Sequence, residues 1–238
     1  MGGSRRDGNH SLSGALELSF ALPQLHLIQA RHTVPNLDYR FDKYTEEYQA
    51  DELERVREFA RDIELPDQVS IEIGSNRGRF IKGLAERFPD RFFLGIEWTK
   101  SLADAAKGRL ERNEIANARV MQADANHVLP IVIDEGQVRE LFLLFPDPWW
   151  KTRHRKRRVI QPEFLDLLAP KMIEGGKLWI RTDVGPFADD MRDTLDAHEA
   201  FRPVDVFDYP LEPFPRSTRE RHVIQAGIPI HTLYYERI

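Results

Sequence analysis

Apolar residues recur along this chain at two spacings, and the switches between them outline its elements. From Glu46 to Ile63 the repeat is helical, carried by Leu53, Val56, Phe59, Ala60 and Ile63, as in an amphipathic helix. Pro66 ends that run, because proline lacks an amide proton and crowds the preceding turn. Short apolar runs then alternate with helical stretches. "QVSIEIG" predicts a buried strand ending at Gly74, and "RFIKGLAERF" a helix with Phe80, Ile81, Leu84 and Phe88 on one side. "RFFLGIEW" predicts a second strand and "SLADAAKGRLERNEI" a second helix. "NARVMQAD" and "RELFLLFPDP" predict the third and fourth strands. "QPEFLDLLAPKM" predicts a helix, with Pro162 tolerated in its first turn. "GGKLWIRTD" is the fifth strand, "GPFADDMRDTLDAH" a helix, and "RPVDVF" and "IHTLYYER" two late strands.

Strand–helix alternation at this spacing implies a parallel sheet covered by helices on both faces. The two late strands have no long helix between them, which suggests an antiparallel pair at the sheet edge. The expected fold is therefore α/β and Rossmann-like, with a mostly parallel seven-stranded sheet. Residues 15–46 carry no clear period, and Pro23 and Pro35 punctuate them. With the polar "MGGSRRDGNHSLSG" before them, they predict an N-terminal arm over 1–45, partly flexible, and a main domain over 46–238.

Three predicted strands deliver an acid at or near their carboxyl ends, where open α/β sheets bind ligands. Glu72 precedes the turn Gly74-Ser75-Asn76-Arg77-Gly78, Glu97 ends "FFLGIE", and Asp124 ends "RVMQAD". The turn lacks the Gly-x-Gly-x-x-Gly spacing of a pyrophosphate site, and an acid beside it repels phosphate. S-adenosylmethionine has no phosphate and carries an ammonium and a sulfonium, which carboxylates attract. Glu97 lies 23 residues after Gly74, near the offset of about 20 expected for an acid holding ribose hydroxyls. Asp124 is placed for the adenine end.

Charge sharpens the picture. The chain of 238 residues has a net charge of −5 and is 41% hydrophobic, enough for one sizeable core. Lys151, Arg153, Arg155, Lys156, Arg157 and Arg158 put +6 into eight residues, so the rest carries −11, the net −5 less that +6. Such asymmetry suggests a local polyanion site on an acidic body. The cations follow "FPDPWW", where prolines on both sides hold Asp147 in a stiff, non-helical turn. Trp149 and Trp150 are candidates for stacking on a base, and packing in the core is the expectation for one of them.

The absence of cysteine excludes disulfides, thiolate zinc sites and cysteine nucleophiles, and fits a cytoplasmic protein. The eight histidines show no ligand spacing, so no metal is expected. No apolar run reaches the roughly 18 residues of a membrane span, and no membrane partner is expected.

The block "FPDPWW-K-x-R-H-x-K-R-R", with "IEIG", "GIE", "AD", "RTD" and the tail "STRE" in order, resembles the single-chain bacterial tRNA (guanine-N7)-methyltransferases from about residue 70 to the end. The resemblance implies a class I S-adenosylmethionine-dependent methyltransferase acting on the tRNA variable loop. It makes Glu72, Gly74, Asn76, Gly78, Glu97, Asp124, Ala125 and Asp147 look like cofactor contacts, and Asp147 also like the catalytic aspartate. Lys151, Asp183, Ser217, Thr218, Arg219 and Glu220 resemble substrate contacts. Arg153, His154, Arg155, Lys156, Arg157 and Arg158 match the RNA-contacting segment. Two positions depart from the family pattern: Asn76 stands where glycine is usual, and Trp150 where proline is common. Without the resemblance, Ser-x-x-Glu reads equally well as a helix capping box. The expected partner is tRNA, with no obligatory protein partner and either a monomer or a homodimer. Methylation of an exocyclic amine, a non-catalytic RNA-binding protein on the same fold, and a nicotinamide oxidoreductase are the rivals.

Overall fold

In the computed structural model, residues 45–205 and 215–238 are described, all within the compact unit that spans 33–238. The arm expected over 1–45 lies outside them apart from Thr45, as does the end of the predicted strand "RPVDVF".

The elements run α1 (Glu46–Asp62), β1 (Val69–Ile73), α2 (Arg79–Arg87), β2 (Phe92–Glu97), α3 (Lys100–Arg112), β3 (Ala118–Gln122), α4 (Ala125–Val132) and β4 (Val138–Leu144). They continue with a 3₁₀ turn (Thr152–Arg157), α5 (Pro162–Leu168), β5 (Met172–Thr182), α6 (Gly185–Asp196), β6 (Phe201–Pro203), α7 (Thr218–Gln225) and β7 (His231–Arg237). The seven strands form one sheet in the order β3-β2-β1-β4-β5-β7-β6. β1 to β5 pair in parallel, and β7 runs antiparallel to both β5 and β6. The antiparallel pair expected at the edge is present, with β6 outermost.

Alternate residues of each strand face opposite sides of a sheet, and the core divides accordingly. Ile71, Leu94, Leu141 and Leu178 pack with Val128 of α4, Leu165 of α5 and Met191 of α6. Phe93, Phe142 and Trp179 face the other way, onto Phe80 and Leu84 of α2 and Ala106 of α3. Phe80 and Phe142 meet edge-on at 5.3 Å.

Two features differ from the sequence expectation. α4 was not expected, because Asn126, His127 and Pro130 break up its apolar pattern, yet Asp124 caps it with an oxygen that accepts from Asn126 N. On α1, Glu52 is buried beside Val56, while Leu53 is only half-buried. A polar contact, not apolar periodicity, sets that face.

The strand order reverses between β1 and β4, so the crevice at their carboxyl ends is where this architecture places a ligand.

Candidate active site

A cleft of about 360 Å³ opens at that switch point, within the size range of small-molecule sites. Its walls include Glu72, Glu97, Asp124 and Asp147, the tips of β1, β2, β3 and the loop after β4. Four acids far apart in sequence are thus brought together by one strand edge.

Glu72 is 4% exposed. Its Oε2 has no hydrogen-bond partner among the described residues. Burial, reinforced by the nearby Glu97 charge, pushes its pKa up to about 8, against a lowering backbone hydrogen bond at Ile81. A buried acid with an open oxygen, facing a cleft, suits a cationic ligand.

The turn after Glu72 is built on left-handed residues: Gly74 (φ 76°), Asn76 (φ 48°) and Gly78 (φ 68°). Among residues with a Cβ, asparagine enters this region readily, which explains how Asn76 stands in for glycine. A Cβ on Gly78 would lie 2.9 Å from that of Ala106, so glycine is required there on two counts. Glu97 ties the turn down. Its two oxygens accept from Asn76 N and Thr99 N, each at 2.8 Å.

Asp124 is the N-cap of α4. Its Oδ1 accepts from Asn126 N at 2.9 Å and from Asn126 Nδ2 at 2.7 Å. Ala125 follows it in the cleft wall.

Around Asp147 the backbone is unusual. Phe145 (φ 53°) and Trp149 (φ 45°) both adopt the left-handed region, which bulky residues enter only under constraint. Phe145 N is held by Arg181 O at 2.7 Å. At the far end, Arg158 Nε donates to Pro148 O at 2.9 Å. Asp147 itself is exposed at the cleft rim.

That bracing corrects one expectation. Arg158 is 8% exposed, pairs with Asp190 at 2.7 Å, and lies over the Phe187 ring. It belongs to the scaffold under the Asp147 loop, not to an RNA-facing surface. Arg153, Arg155 and Lys156 are exposed on the 3₁₀ turn. His154 and Arg157 are half-buried against Trp149, with ring centroids 5.8 Å apart for His154 and the guanidinium 5.2 Å from the ring for Arg157. Neither tryptophan enters the main core: Trp149 is half-buried and Trp150 is 66% exposed.

The tail element caps α7. Ser217 Oγ accepts from Glu220 N at 3.1 Å, so the capping reading holds for Ser217. Ser217, Thr218 and Arg219 line the cleft, whereas Lys151, Asp183 and Glu220 are not among its walls. Asp183 pairs with Arg219. Glu220 is buried and pairs with Arg181 through one oxygen, which makes it a strut between β5 and α7, while its Oε2 has no hydrogen-bond partner among the described residues. Thr99, Leu102 and Asn126 also line the cleft and were not singled out. The only sequence signal for them is their position just after a strand-tip acid.

Among the described residues, no group of three or more His, Asp and Glu side chains is arranged to hold a metal ion. Among the same residues, no helix is long and apolar enough to cross a membrane.

The model of a family described as "Putative methyltransferase" matches residues 66–232. A tRNA (guanine-N(7)-)-methyltransferase of Thermosynechococcus vestitus is 34% identical over 184 residues, covering 76% of this chain and 86% of that protein. The enzyme of the same description from Myxococcus xanthus is 36% identical over 171 residues, 68% of this chain and 80% of that one. A solved SAM-dependent methyltransferase from Aquifex aeolicus shares the fold, with a TM-score of 0.51 over 86% of this chain and 94% of that one at 12% identity.

Proposed function

The chain belongs to the tRNA (guanine-N7)-methyltransferase family, and from that premise we propose how its cleft does the work. The protein transfers a methyl group from S-adenosylmethionine to N7 of a guanine in tRNA. The observation that carries the assignment of the cleft is the open, buried oxygen of Glu72, in a wall shared with Glu97, Asp124 and Asp147. This donor set fits the cofactor: its acids suit the ammonium, the ribose hydroxyls and the adenine end, and the Gly74–Gly78 turn lacks the spacing of a phosphate cradle.

In this reading Glu72 pairs with the ammonium of the methionine part. The Gly74–Gly78 turn, with Asn76 in it, gives the backbone a close approach to the same part. Glu97 keeps lone pairs for the ribose beyond those that hold the turn. Asp124 and Ala125 face the adenine end. Bound S-adenosylmethionine supplies an electrophilic methyl group.

Guanine N7 carries a lone pair and no proton, so no general base is needed. As the N7–C bond forms, the methyl–sulfur bond would break, so the positive charge passes from the sulfonium, left as a neutral thioether, to the purine. Asp147 accepts hydrogen bonds from the donor edge of guanine and stabilises the growing positive charge. The braced backbone on either side of Asp147 fixes that carboxylate before substrate arrives, and alignment is what the site must supply. Ser217, Thr218 and Arg219 border the guanine side of the cleft, with Asp183 holding Arg219 in place. Lys151, Arg153, Arg155 and Lys156 neutralise phosphates of the tRNA, and the exposed Trp150 stacks on an unpaired base. The base must stand outside a regular A-form groove to be reached, which suits the variable loop. The cytoplasm, where tRNA and S-adenosylmethionine meet, is the proposed location.

The test is direct. The protein is incubated with labelled S-adenosylmethionine and unmodified tRNA, and the product is subjected to chain cleavage specific for N7-methylguanine. Cleavage at one variable-loop guanine supports the full reading. Label at an exocyclic amine instead would overturn it.

A further inference from the structure

Glu52 lies on α1, outside the stretch 66–232 that the methyltransferase family model matches. It is nevertheless wholly buried, with 0% exposure, as is His127 on α4. A single oxygen of Glu52, Oε1, accepts from the Asp124 backbone N–H at 3.1 Å and pairs with His127 Nδ1 at 2.6 Å. Burial and then the neighbouring Glu52 charge push the Tyr48 phenol above its usual range.

A buried carboxylate is costly unless it is hydrogen-bonded, and an apolar side chain would pack α1 against α4 more cheaply. The position of this carboxylate suggests what the cost supports. Asp124 is the last residue before α4 and lines the cleft. Its side chain is fixed from the front by both nitrogens of Asn126. Its backbone is fixed from behind by Glu52. His127, one turn into α4, holds the same oxygen and so keeps Glu52 aimed at the Asp124 amide.

We infer that Glu52, oriented by His127, is a positioning residue for cofactor binding, which locks the Asp124 turn from outside the methyltransferase core. The inference rests on the reading that Asp124 holds S-adenosylmethionine. It makes α1 part of the cofactor site, although α1 contributes nothing to the cleft wall.

The experiment compares Glu52→Gln, Glu52→Met and Asp124→Ala in the full chain. The readouts are the calorimetric dissociation constant for S-adenosylmethionine, tRNA affinity without cofactor, kcat at saturating cofactor, and Tm. Gln keeps an Oε1 that accepts both hydrogen bonds, so its cofactor affinity stays within about threefold of wild type. Met keeps the volume and loses both bonds, so the dissociation constant rises about ten- to fiftyfold, the effect of one charge-assisted hydrogen bond. In the same variant tRNA affinity and saturated kcat stay within about threefold. A Met variant that melts lower but binds cofactor as wild type does overturns the inference while leaving Asp124 in the site. An Asp124→Ala variant with wild-type affinity overturns the reading of Asp124 and this inference with it. If the Met variant does not fold, His127→Asn against His127→Leu makes the same comparison, because an asparagine amide can donate where Nδ1 does and leucine cannot. Equal cofactor affinity in those two then overturns the proposal.

Discussion

Glu97 and Arg155 stand for two ways of presenting charge beside one cleft. Glu97 is buried, and each of its oxygens already accepts a backbone amide. Arg155 is exposed on a short 3₁₀ turn. The acids of the cofactor end are set in place before any ligand arrives, in surroundings where charge acts strongly. The cations act through water, where salt screens them and the side chains stay mobile. A small ligand of fixed shape rewards the first arrangement. A long polyanion that must be captured and then shifted into register rewards the second. Asp147 lies where the two meet, exposed as the cations are but held on a constrained backbone as the acids are.

Asp147→Ala is the largest test of that division. If Asp147 acts on the guanine ring, kcat falls about hundred- to thousandfold, as for loss of one preorganised electrostatic group. Cofactor affinity changes less than about threefold. Single-turnover rates and calorimetry on the same preparation separate the two. Equal losses in both would move Asp147 from the chemistry to the cofactor grip.

Replacing Lys151, Arg153, Arg155 and Lys156 together by Gln probes the other side. These four are exposed, and Arg158 is left intact because it braces Pro148. The slope of log tRNA affinity against log salt becomes shallower by about three to three and a half, at about 0.7–0.9 for each of four phosphate contacts. Cofactor affinity and Tm stay near wild type. A wild-type slope in the folded variant would show that the RNA is held elsewhere.

Glu97→Ala weakens cofactor binding about ten- to hundredfold through lost charge-assisted hydrogen bonds. The left-handed turn at Asn76 loses its tether in the same variant, so the loss falls at the upper end of that range. tRNA affinity without cofactor holds. Titration of both ligands checks this, and a parallel loss of tRNA binding would erase the proposed separation between the two ends.

What the sequence made legible follows the same line. Strand-tip acids and strand–helix alternation show in the chain because each depends on neighbours a few residues away. The charge run looked uniform, yet Arg158 leaves it by pairing with Asp190, 32 residues on. Glu52 has no place in the apolar repeat of α1, yet it is buried against partners 72 and 75 residues distant. α4 stayed hidden because its Asn126 and His127 are buried through polar contacts, which hydropathy patterning counts as surface. Local regularities are readable, whereas a polar side chain satisfied by a distant partner is not.

The smallest effect separates folding from function at Glu72. In the folded protein this carboxyl is raised to about 8, whereas an unfolded chain loses the proton in the ordinary carboxylate range. Between those limits the folded protein binds the extra proton, so the stability of the cofactor-free protein falls as pH rises across the window. Glu72→Gln stays neutral throughout. Its Tm should match wild type near the bottom of the window and exceed it by a few degrees above about pH 8. Its cofactor affinity should move the opposite way. Wild type must shed the Glu72 proton to pair with the ammonium, so its affinity rises toward about pH 8 and binding releases protons to the buffer. The Gln variant should bind several-fold more weakly, with that pH dependence and proton release lost. Thermal melts at several pH values, with calorimetry in buffers of different ionisation enthalpy, measure both sides. A Gln variant whose stability declines with pH in parallel with wild type would mean that Glu72 is already charged in the empty cleft, and the contrast between a strained acid end and a relaxed basic end would fail at its most buried residue.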